Sequence, residues 1–346
     1  MTDRVDPIRY RDAGVDLRAA ESLTKRLAAL VEGTRTADVG SDFGSFGGRF
    51  RLPGATELVA SADGVGTKVL VAVRAGVHDT IGEDLVNHCV NDILAEGAEP
   101  LFFLDYFACG ALEPEVAYAV IEGVARGCRA NGLALLGGET AEMPGLYGVG
   151  EYDLAGFIVG RRVFDLPGRS GVAEGDRLVA LPSSGLHTNG YSLARKILFD
   201  HMGLAPGDAL PDLGAETVAE ALLRVHVSYL APLRGVLEQG RVRALAHITG
   251  GGIPGNLVRV LPSDLDAIVD PESWEPPHLF RLLAEESRLE AGDLYETLNM
   301  GVGMIAVVSA DQERAVLADP GVRGAGGFPC GEIRPGTGRV RLEPAG

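Results

Sequence analysis

The chain has 346 residues, of which 46% are hydrophobic, so it can bury a sizeable core and is long enough for two domains. Its formal net charge of −17 argues against a broad basic surface for nucleic acid or an anionic membrane. An anionic ligand therefore needs a locally positive pocket.

The four cysteines are widely scattered, without a Cys-x-x-Cys pair or the spacing of a metal site. We therefore expect reduced thiols and a cytoplasmic protein. The charged amino-terminal stretch lacks the apolar segment of a signal peptide, and no run of eighteen apolar residues occurs. Neither export nor membrane spanning is predicted.

The first predicted element is an amphipathic helix in DLRAAESLTKRLAALVE, where Leu23, Leu27 and Leu30 recur at helical spacing and Asp16 is placed as an N-cap. The glycine-rich stretch VGSDFGSFGGRFRLPG follows. Such a cluster is more often a turn than a ligand cradle, and both interpretations stay open.

The stretch SADGVGTK contains the glycines, hydroxyl and lysine of a phosphate-binding loop, but Thr67 precedes Lys68, which is not the Walker A order. Apolar runs flank it, and Asp63-Gly64 is a strong hairpin signal. Lysine occurs at only three positions, and arginine occupies the other Lys/Arg positions of the chain. Lys68 is therefore an exception to the preference of this chain for arginine over lysine. Taken alone, the stretch favours a β-hairpin over a phosphate loop.

The next predicted helix lies in IGEDLVNHCVNDILAEGAEP. It carries a polar stripe of Asp84, Asn87, His88 and Asn91, with Asp92 at its edge. Such a stripe is usually the solvated side, although Asn, His and Asp are less typical of an exposed helix than Lys and Glu. The following LFFLDYFA is predicted as a strand buried on both faces.

A second amphipathic helix is predicted from about 115 to 129, ending at Asn131-Gly132. In LALLGGETAEMPG a strand is predicted to run into paired glycines and then Glu139, and YDLAGFIVGR is a further predicted strand. The stretch from Asp165 to Asp176 is the best domain boundary. Beyond it, RLVALPSSGLHTNGYSLARKILF and RALAHITGGGIPGNLVRVLP each predict a strand, a loop of small residues and a helix. Free N–H groups at such a helix start can hold an anion.

Seven strings occur in the order typical of the AIR synthetase family: YRDAGVD, SADGVGTK, DLVNHCVNDILAEGAEPLFFLDYFA, LLGGETAEMPG, SSGLHTNGYSL, HITGGG and NMGVGM. The chain resembles this family from Tyr10 to about Arg339. The resemblance implies a two-domain α+β fold, with residues 1–165 as an ATP-binding and dimerisation domain and 166–346 as an α/β sandwich-like domain. It also implies a homodimer in which the amino-terminal sheets of two subunits join.

The resemblance further implies a reaction of purine biosynthesis. ATP activates the formyl oxygen of formylglycinamidine ribonucleotide, an internal nitrogen closes the imidazole ring, and aminoimidazole ribonucleotide, ADP and phosphate leave. Phosphoryl transfer depends mainly on positioning and charge neutralisation, usually with Mg²⁺. ATP and Mg²⁺ are therefore the expected cofactors, and SADGVGTK is expected to serve phosphate in a non-Walker arrangement.

The resemblance assigns three sets of site residues. As Mg²⁺ ligands we expect Asp63, Asp92 and Glu139, although each also reads as an ordinary turn, helix or loop carboxylate. For ATP we expect Gly44, Gly47, Gly48, Asp63, Gly64, Gly66, Thr67, Lys68, Asn91, Asp92 and Glu139. For the ribonucleotide we expect His187, Thr188, Asn189, Gly190, Ser192 and His247. Catalytic roles are expected for Lys68, Asp63 and His187, whose imidazole either transfers a proton or contacts phosphate.

Other members of the superfamily fit less well. Selenophosphate synthetase is expected to carry a reactive Cys or selenocysteine in its glycine-rich loop, whereas the first cysteine here is Cys89. Thiamine-monophosphate kinase usually has paired aspartates where this chain has Ala62-Asp63, and the hydrogenase-maturation relative ends in a cysteine-bearing tail. A nucleotide-binding sensor without turnover is the alternative from another class, and the joint presence of the carboxylates and Lys68 disfavours it.

Overall fold

Two mixed β-sheets, one in each half of the chain, organise the fold. The computed structural model describes residues 7–15, 17–211 and 214–344, so the predicted N-cap Asp16 lies outside the described residues. The strands are β1 Gly48–Arg51, β2 Glu57–Gly64, β3 Ala98–Cys109, β4 Ala134–Glu142, β5 Tyr152–Arg162, β6 Arg177–Pro182, β7 Val242–His247, β8 Leu265–Val269, β9 Val302–Val308, β10 Phe328–Pro335 and β11 Val340–Leu342. The described α-helices are α1 Leu17–Glu32, α2 Lys68–Ala75, α3 Ile81–Ala95, α4 Pro114–Asn131, α5 Tyr191–Arg195, α6 Val218–Leu222, α7 Leu230–Glu238, α8 Gly252–Leu257, α9 His278–Ser287, α10 Ala291–Thr297, α11 Glu313–Ala318 and α12 Pro320–Gly324.

The strand order is β1-β2-β5-β3-β4 in the first sheet and β11-β8-β10-β6-β9-β7 in the second. Neighbouring strands are antiparallel except for the pairs β3/β4 and β11/β8. The predicted α+β class is confirmed. The division expected after residue 165 falls between β5 and β6. Among the residues that the structure describes, no helix has both the length and the hydropathy to cross a membrane.

The SADGVGTK stretch is a strand, a turn and a helix, so the hairpin interpretation is wrong. β2 ends at Gly64, Gly66 turns the chain with φ of 66°, and α2 begins at Lys68. The hydrogen-bonding partner of β2 is β5 rather than the apolar run after the turn. That run is helical, and it buries Val69 and Val71.

The helix α3 is confirmed, but its polar stripe is not solvated. Every residue of α3 except Glu83 is buried. One side of the helix covers the first sheet, and the stripe faces the carboxy-terminal half of the chain. Asn, His and Asp suit this position because a buried stripe must make specific hydrogen bonds, which Lys and Glu make less well.

The strand β3 is not buried on both faces, contrary to the prediction. Phe103 and Phe107 on its inner face are buried, whereas Leu104 is 38% exposed on the outer face. Leu104 lies opposite Phe157 of β5, which is 48% exposed. The outer face of the first sheet is therefore apolar and uncovered in a single chain.

Both predicted strand, loop and helix units of the second half are present, as β6 with α5 and β7 with α8. The helix α5 has only five residues and passes into a π-helical segment, Lys196–His201. These units place their loops, which contain LHTNGYS and the triple glycine, on the side that faces α3.

We predict that Gly82→Ala weakens the packing of α3 on α4. A methyl group at residue 82 would lie 2.1 Å from the Val120 carbonyl oxygen, so the helices must separate. Overpacking of this kind costs about 1–3 kcal/mol of unfolding free energy, which urea denaturation would measure. The matched control is Gly292→Ala in α10, where no neighbouring atom lies within 4 Å. Equal stabilities of the two variants would contradict the prediction.

Candidate functional site

The polar stripe of α3 binds the backbone of the segment 224–229, which precedes α7. Asn87 donates to the His226 carbonyl at 2.7 Å, and Asn91 donates to the Val227 carbonyl at 2.7 Å. The Asn91 amide oxygen also accepts from the Tyr229 N–H at 2.8 Å. Because its amide is occupied by this interface, Asn91 does not face a nucleotide as expected from the sequence.

A buried ion pair lies at the start of the same interface. The Lys68 ammonium is 2.7 and 2.8 Å from the two Asp84 carboxylate oxygens, and neither side chain is exposed. Lys68 also donates to the Arg224 carbonyl, and Asp84 accepts from the His226 N–H, both at 2.7 Å. Burial raises the pKa of Asp84 to about 6 although Lys68 opposes this shift.

The expected phosphate contact of Lys68 therefore needs correction. Its ammonium is enclosed and fully engaged by Asp84 and a carbonyl, so it is not presented to a phosphate. The side chain joins the two halves of the chain instead.

Four of the seven histidines in the sequence converge beside this ion pair: His88, His187, His226 and His247. The rings of His187 and His226 stack with centroids 3.9 Å apart. The Nε2 atoms of His226 and His247 are 3.1 Å apart. His226 was not predicted, because a histidine between two valines in LRVHVSYL gives no signal beyond its rarity.

Two carboxylates face this histidine cluster. The Nε2 atom of His88 is 2.8 Å from an Asp63 carboxylate oxygen and 3.7 Å from one of Asp92, and the Nδ1 atom of His247 is 2.9 Å from Asp92. Burial disfavours charge on His88, yet Asp63 and Asp92 outweigh it and raise the pKa of His88 to about 9. Burial lowers the pKa of His247 despite Asp92. The two carboxylates thus favour a positive charge at His88 more than at His247.

The same cluster fits a cation. His88, Asp92 and His247 each offer a ligand atom, and these atoms lie within 4.8 Å of one another. The second ring nitrogen of His88 is 2.7 Å from the Thr188 hydroxyl, an outer hydrogen bond of the kind that orients metal-binding imidazoles. The oxygens of Asp63 and Asp92 suit Mg²⁺, whereas imidazole nitrogens suit transition metals better. The half-exposed Asp63 side chain lies on the solvent side of the cluster.

Glu139 does not join Asp63 and Asp92 within one chain. Across the sheet, Asp63 of β2 pairs with Gly156 of β5, Gly156 pairs with Asp105 of β3, and Asp105 pairs with Gly138 of β4. Paired residues lie on the same face of a sheet, so Asp63 and Gly138 share one face. Glu139 is the next residue in β4 and points to the outer face, about 14 Å away across three strand spacings. The expected trio of metal ligands is therefore not assembled in a single subunit.

The strings SADGVGTK and LHTNGYS meet directly. The hydroxyl oxygens of Thr67 and Ser192 are 3.1 Å apart, and a Cβ on Gly66 would lie 3.6 Å from the Thr188 carbonyl oxygen. The half-buried Asn189 donates to the Thr188 hydroxyl at 3.3 Å. Two sequences expected to serve different substrates thus form one continuous surface, referred to below as the shared wall.

The amino-terminal string YRDAGVD reaches the shared wall. Tyr10 begins a 3₁₀ turn, Tyr10–Ala13, and its hydroxyl is hydrogen-bonded to the Gly190 backbone. Gly190, with φ of 82°, directly precedes α5. The segment beside Tyr10 therefore lies against the loop expected to hold the ribonucleotide.

His187 is enclosed rather than available to a substrate. It is 1% exposed and has a left-handed φ of 58°. Its Nε2 atom accepts from the Ser184 N–H at 3.1 Å and faces the Val227 N–H at 3.5 Å. Burial lowers the pKa of His187 well below its usual value, so the ring is neutral. Neither proton transfer with a substrate nor contact with its phosphate fits this position.

The glycine-rich loop lies at the other end of α3. The Phe46 N–H donates to the Glu96 carboxylate at 3.2 Å, and a side chain at Gly47 would lie 2.8 Å from Val59. Gly44 has φ of 96°, and a Cβ on Gly48 would meet only the Ala60 carbonyl oxygen, at 3.7 Å. Together with the linker between the sheets, the loop lines a cavity of about 800 Å³, in whose wall none of the cluster carboxylates lies.

Comparison with known proteins identifies two matched domains. The family described as AIR synthase related protein, N-terminal domain, matches residues 42–162, and the corresponding C-terminal domain family matches residues 173–342. The chain is 49% identical over 319 residues to phosphoribosylformylglycinamidine cyclo-ligase of Sorangium cellulosum, which covers 90% of this chain and 91% of that protein. It is 46% identical over 316 residues to the protein of the same name from Syntrophotalea carbinolica, with 89% of each covered.

Solved structures of the same fold are more distant in sequence. Thiamine-monophosphate kinase from Stenotrophomonas maltophilia is 20% identical with a TM-score of 0.59, over 93% of this chain and 96% of that one. The hydrogenase maturation protein HypE in complex with ATP is 20% identical with a TM-score of 0.59, over 96% and 94%. These similarities show the fold.

We predict that Lys68→Met destabilises the protein rather than acting on phosphate binding alone. Removing one partner of a buried ion pair leaves an uncompensated charge, which costs about 3–5 kcal/mol. Adding Asp84→Leu should recover much of this loss, because both charges are then absent. Urea denaturation measures both effects, and Lys196→Met, at a half-buried lysine that donates to the Asp12 carbonyl, is the control. Unchanged stability with a raised KM for ATP would return Lys68 to the phosphate site.

Proposed function

We propose that this chain, which belongs to the AIR synthase family, catalyses the ATP-dependent cyclisation of formylglycinamidine ribonucleotide to aminoimidazole ribonucleotide in purine biosynthesis. ADP and phosphate are the other products. Identities of 45–49% over about nine-tenths of the chain carry this assignment. The direct contact between SADGVGTK and LHTNGYS supports it, since ring closure needs the phosphate donor and the amidine together.

The turn before α2 is our candidate for the ATP phosphates. Gly66 and Thr67 precede the first residue of α2 at the positive end of the helix, where Thr67 adds a hydroxyl, while the Gly64 N–H donates to the Asp63 carboxylate at 2.6 Å. With the Lys68 ammonium enclosed, recognition at this turn relies on these groups. The negative charge of Asp63 and Asp92 requires a cation between them and the phosphates. Mg²⁺ would neutralise phosphate charge there.

The loop of LHTNGYS is our candidate for the ribonucleotide. Asn189 is half-buried and can both donate and accept, while Thr188, Gly190 and Ser192 lie beside it. The proposed task of the shared wall is to hold the formyl oxygen near the ATP phosphate and the attacking nitrogen near the formyl carbon. Positioning of this kind supplies a large part of the barrier reduction in such reactions.

The alternatives within the superfamily are less well supported. The kinase and the hydrogenase maturation protein share the fold at about 20% identity. The cyclo-ligase relatives share more than twice that identity over a similar part of the chain. All four cysteines are buried and unpaired, and none lies in the glycine-rich loop, so a selenophosphate-type thiol is disfavoured. Free thiols also support the proposed cytoplasmic location.

A direct assay tests the function. The purified protein is incubated with ATP, Mg²⁺ and formylglycinamidine ribonucleotide, and aminoimidazole ribonucleotide, ADP and phosphate are measured. We expect the three products in equal amounts and ATP hydrolysis that depends on the amidine. A protein that binds ATP but forms no product under any cation condition would be a nucleotide-binding sensor instead.

We predict that Asp63→Asn and Asp92→Asn each lower kcat/KM by about a hundredfold or more while the protein stays folded, because a lost charged group at a phosphate site costs several kcal/mol. Mn²⁺ binding, followed by electron paramagnetic resonance, gives a readout that does not depend on turnover. Asp165→Asn, at an exposed linker residue, is the control. A normal Mg²⁺ dependence in both site variants would remove them from the cation site.

Glu139→Gln belongs to the same series. Within one chain the Glu139 carboxylate is on the face of the sheet opposite to that of Asp63. We therefore expect Glu139→Gln to lower kcat/KM less than Asp63→Asn does. A loss as large as that of Asp63→Asn would indicate a site completed across two subunits.

We further propose a homodimer in which the uncovered outer faces of two first sheets pack together. Phe157→Lys would put a charge at the centre of this face, so we expect the Phe157→Lys variant to be a monomer. In light scattering the unaltered protein should have twice the chain mass of 36.2 kDa. Tyr118→Lys, at an exposed position of α4, is the control. If light scattering gave the mass of one chain for the unaltered protein at all concentrations, the proposed dimer would be refuted.

A further inference from the structure

Arg259 connects the carboxy-terminal domain to the glycine-rich loop, defined here as residues 41–48. Its Nε and Nη2 atoms donate to the Gly44 carbonyl at 3.0 and 2.8 Å. Its guanidinium carbon lies 3.8 Å from the centre of the Phe46 ring. One side chain thus holds the loop by a forked hydrogen bond and by an aromatic contact, across 215 residues of sequence.

The guanidinium is itself anchored. Its Nη1 atom donates to the Asn256 amide oxygen at 3.2 Å. The Asn256 amide nitrogen donates to the Gly250 and Gly252 carbonyls at 3.1 and 2.9 Å, so it is fixed to the glycine turn that follows His247. Arg259 therefore transmits the position of that turn to the loop.

On its other side, the loop is linked to the carboxylate cluster. The Ser61 hydroxyl is 3.3 Å from the Phe46 carbonyl oxygen and 3.2 Å from an Asp92 oxygen. A hydroxyl has one hydrogen to donate, so the loop and Asp92 share it. The Ser61 hydroxyl therefore links the position of the loop to the hydrogen bonding of Asp92.

Acidic groups surround the buried guanidinium of Arg259. Burial lowers the pKa of Arg259, and the carboxylates of Asp92, Glu96 and Asp63 oppose this shift. Glu96 also accepts from the Phe46 N–H at 3.2 Å. The loop is therefore held between an acidic group at the end of α3 and a basic group of the other domain.

We propose that Arg259 is a positioning residue that keeps the glycine-rich loop closed against the cluster, so that the carboxy-terminal domain sets the affinity of the loop for the ATP phosphates. The identity of the ligand rests on the proposed function. The hold of Arg259 on the loop does not, because it follows from contacts within the chain.

Hydrogen exchange of the loop amides, measured on the full chain without nucleotide, tests this hold. Loss of a charged hydrogen-bond pair should raise loop opening, and hence exchange, by roughly tenfold to a hundredfold in Arg259→Met. Arg259→Lys should give a smaller increase, because an ammonium cannot fork onto Gly44 and pack on Phe46 in the same way. The matched control is Arg169→Met, since Arg169 lines the same cavity but donates to the Arg259 carbonyl and not to the loop.

Steady-state kinetics tests the consequence. We expect Arg259→Met to raise the KM for ATP about tenfold or more, with a smaller change in the KM for the amidine and unfolding midpoints close to the unaltered protein. If the loop amides of Arg259→Met exchanged hydrogen at the same rate as those of the unaltered protein, the inference would be overturned. A raised amidine KM with an unchanged ATP KM would also overturn it. Failure of the proposed function would show separately, as absent turnover in the unaltered protein. Should Arg259→Met not fold, Arg259→Lys and Phe46→Leu carry the same exchange test.

Discussion

The buried ion pair between Lys68 and Asp84 is the constraint on which the arrangement of the site depends. Two charges without solvent are stable only when both are paired and their remaining hydrogen-bonding groups are satisfied. Here the Arg224 carbonyl accepts from Lys68 and the His226 N–H donates to Asp84. The segment 224–229 must therefore lie against α2 and α3. Once it does so, the two asparagines of the polar stripe pair with its backbone, and the orientation of the domains is fixed.

The histidine cluster follows from this docking. Seating the segment 224–229 inserts His226 between the rings of His187 and His247. An enclosed site of low polarity tolerates charge on an imidazole only beside opposite charge. His88 has that neighbourhood, because Asp63 and Asp92 both face it, and the other three rings are kept neutral by burial. Asp63 and Asp92, which favour a proton on His88, would favour a divalent cation in place of that proton.

Local patterns predicted the elements well, and long-range pairing explains the failures. The helices α3 and α4 follow from apolar periodicity and glycine stop signals, which act within a few residues. The role of Lys68 depends on a carbonyl 156 residues away, and that of Asn91 on one 136 residues away. No local pattern shows such partners, so neither the enclosure of Lys68 nor the burial of the polar stripe could be predicted from the sequence. The face that Glu139 occupies was not predictable for a related reason: the paired glycines continue β4, and the pairing of that strand with β3 puts Glu139 on the outer face.

The buried interface also determines which part of the protein can move. Rotating the two domains apart would break the contacts of the Lys68–Asp84 ion pair and of the α3 asparagines with the segment 224–229. Each polar group that loses its partner while it stays buried costs free energy. The glycine-rich loop is different, because a few side chains hold it, among them those of Glu96, Ser61 and Arg259. Movement of this loop does not break the core. We therefore expect the loop to open more readily than the junction of the two domains, where the Thr67 and Ser192 hydroxyl oxygens are 3.1 Å apart.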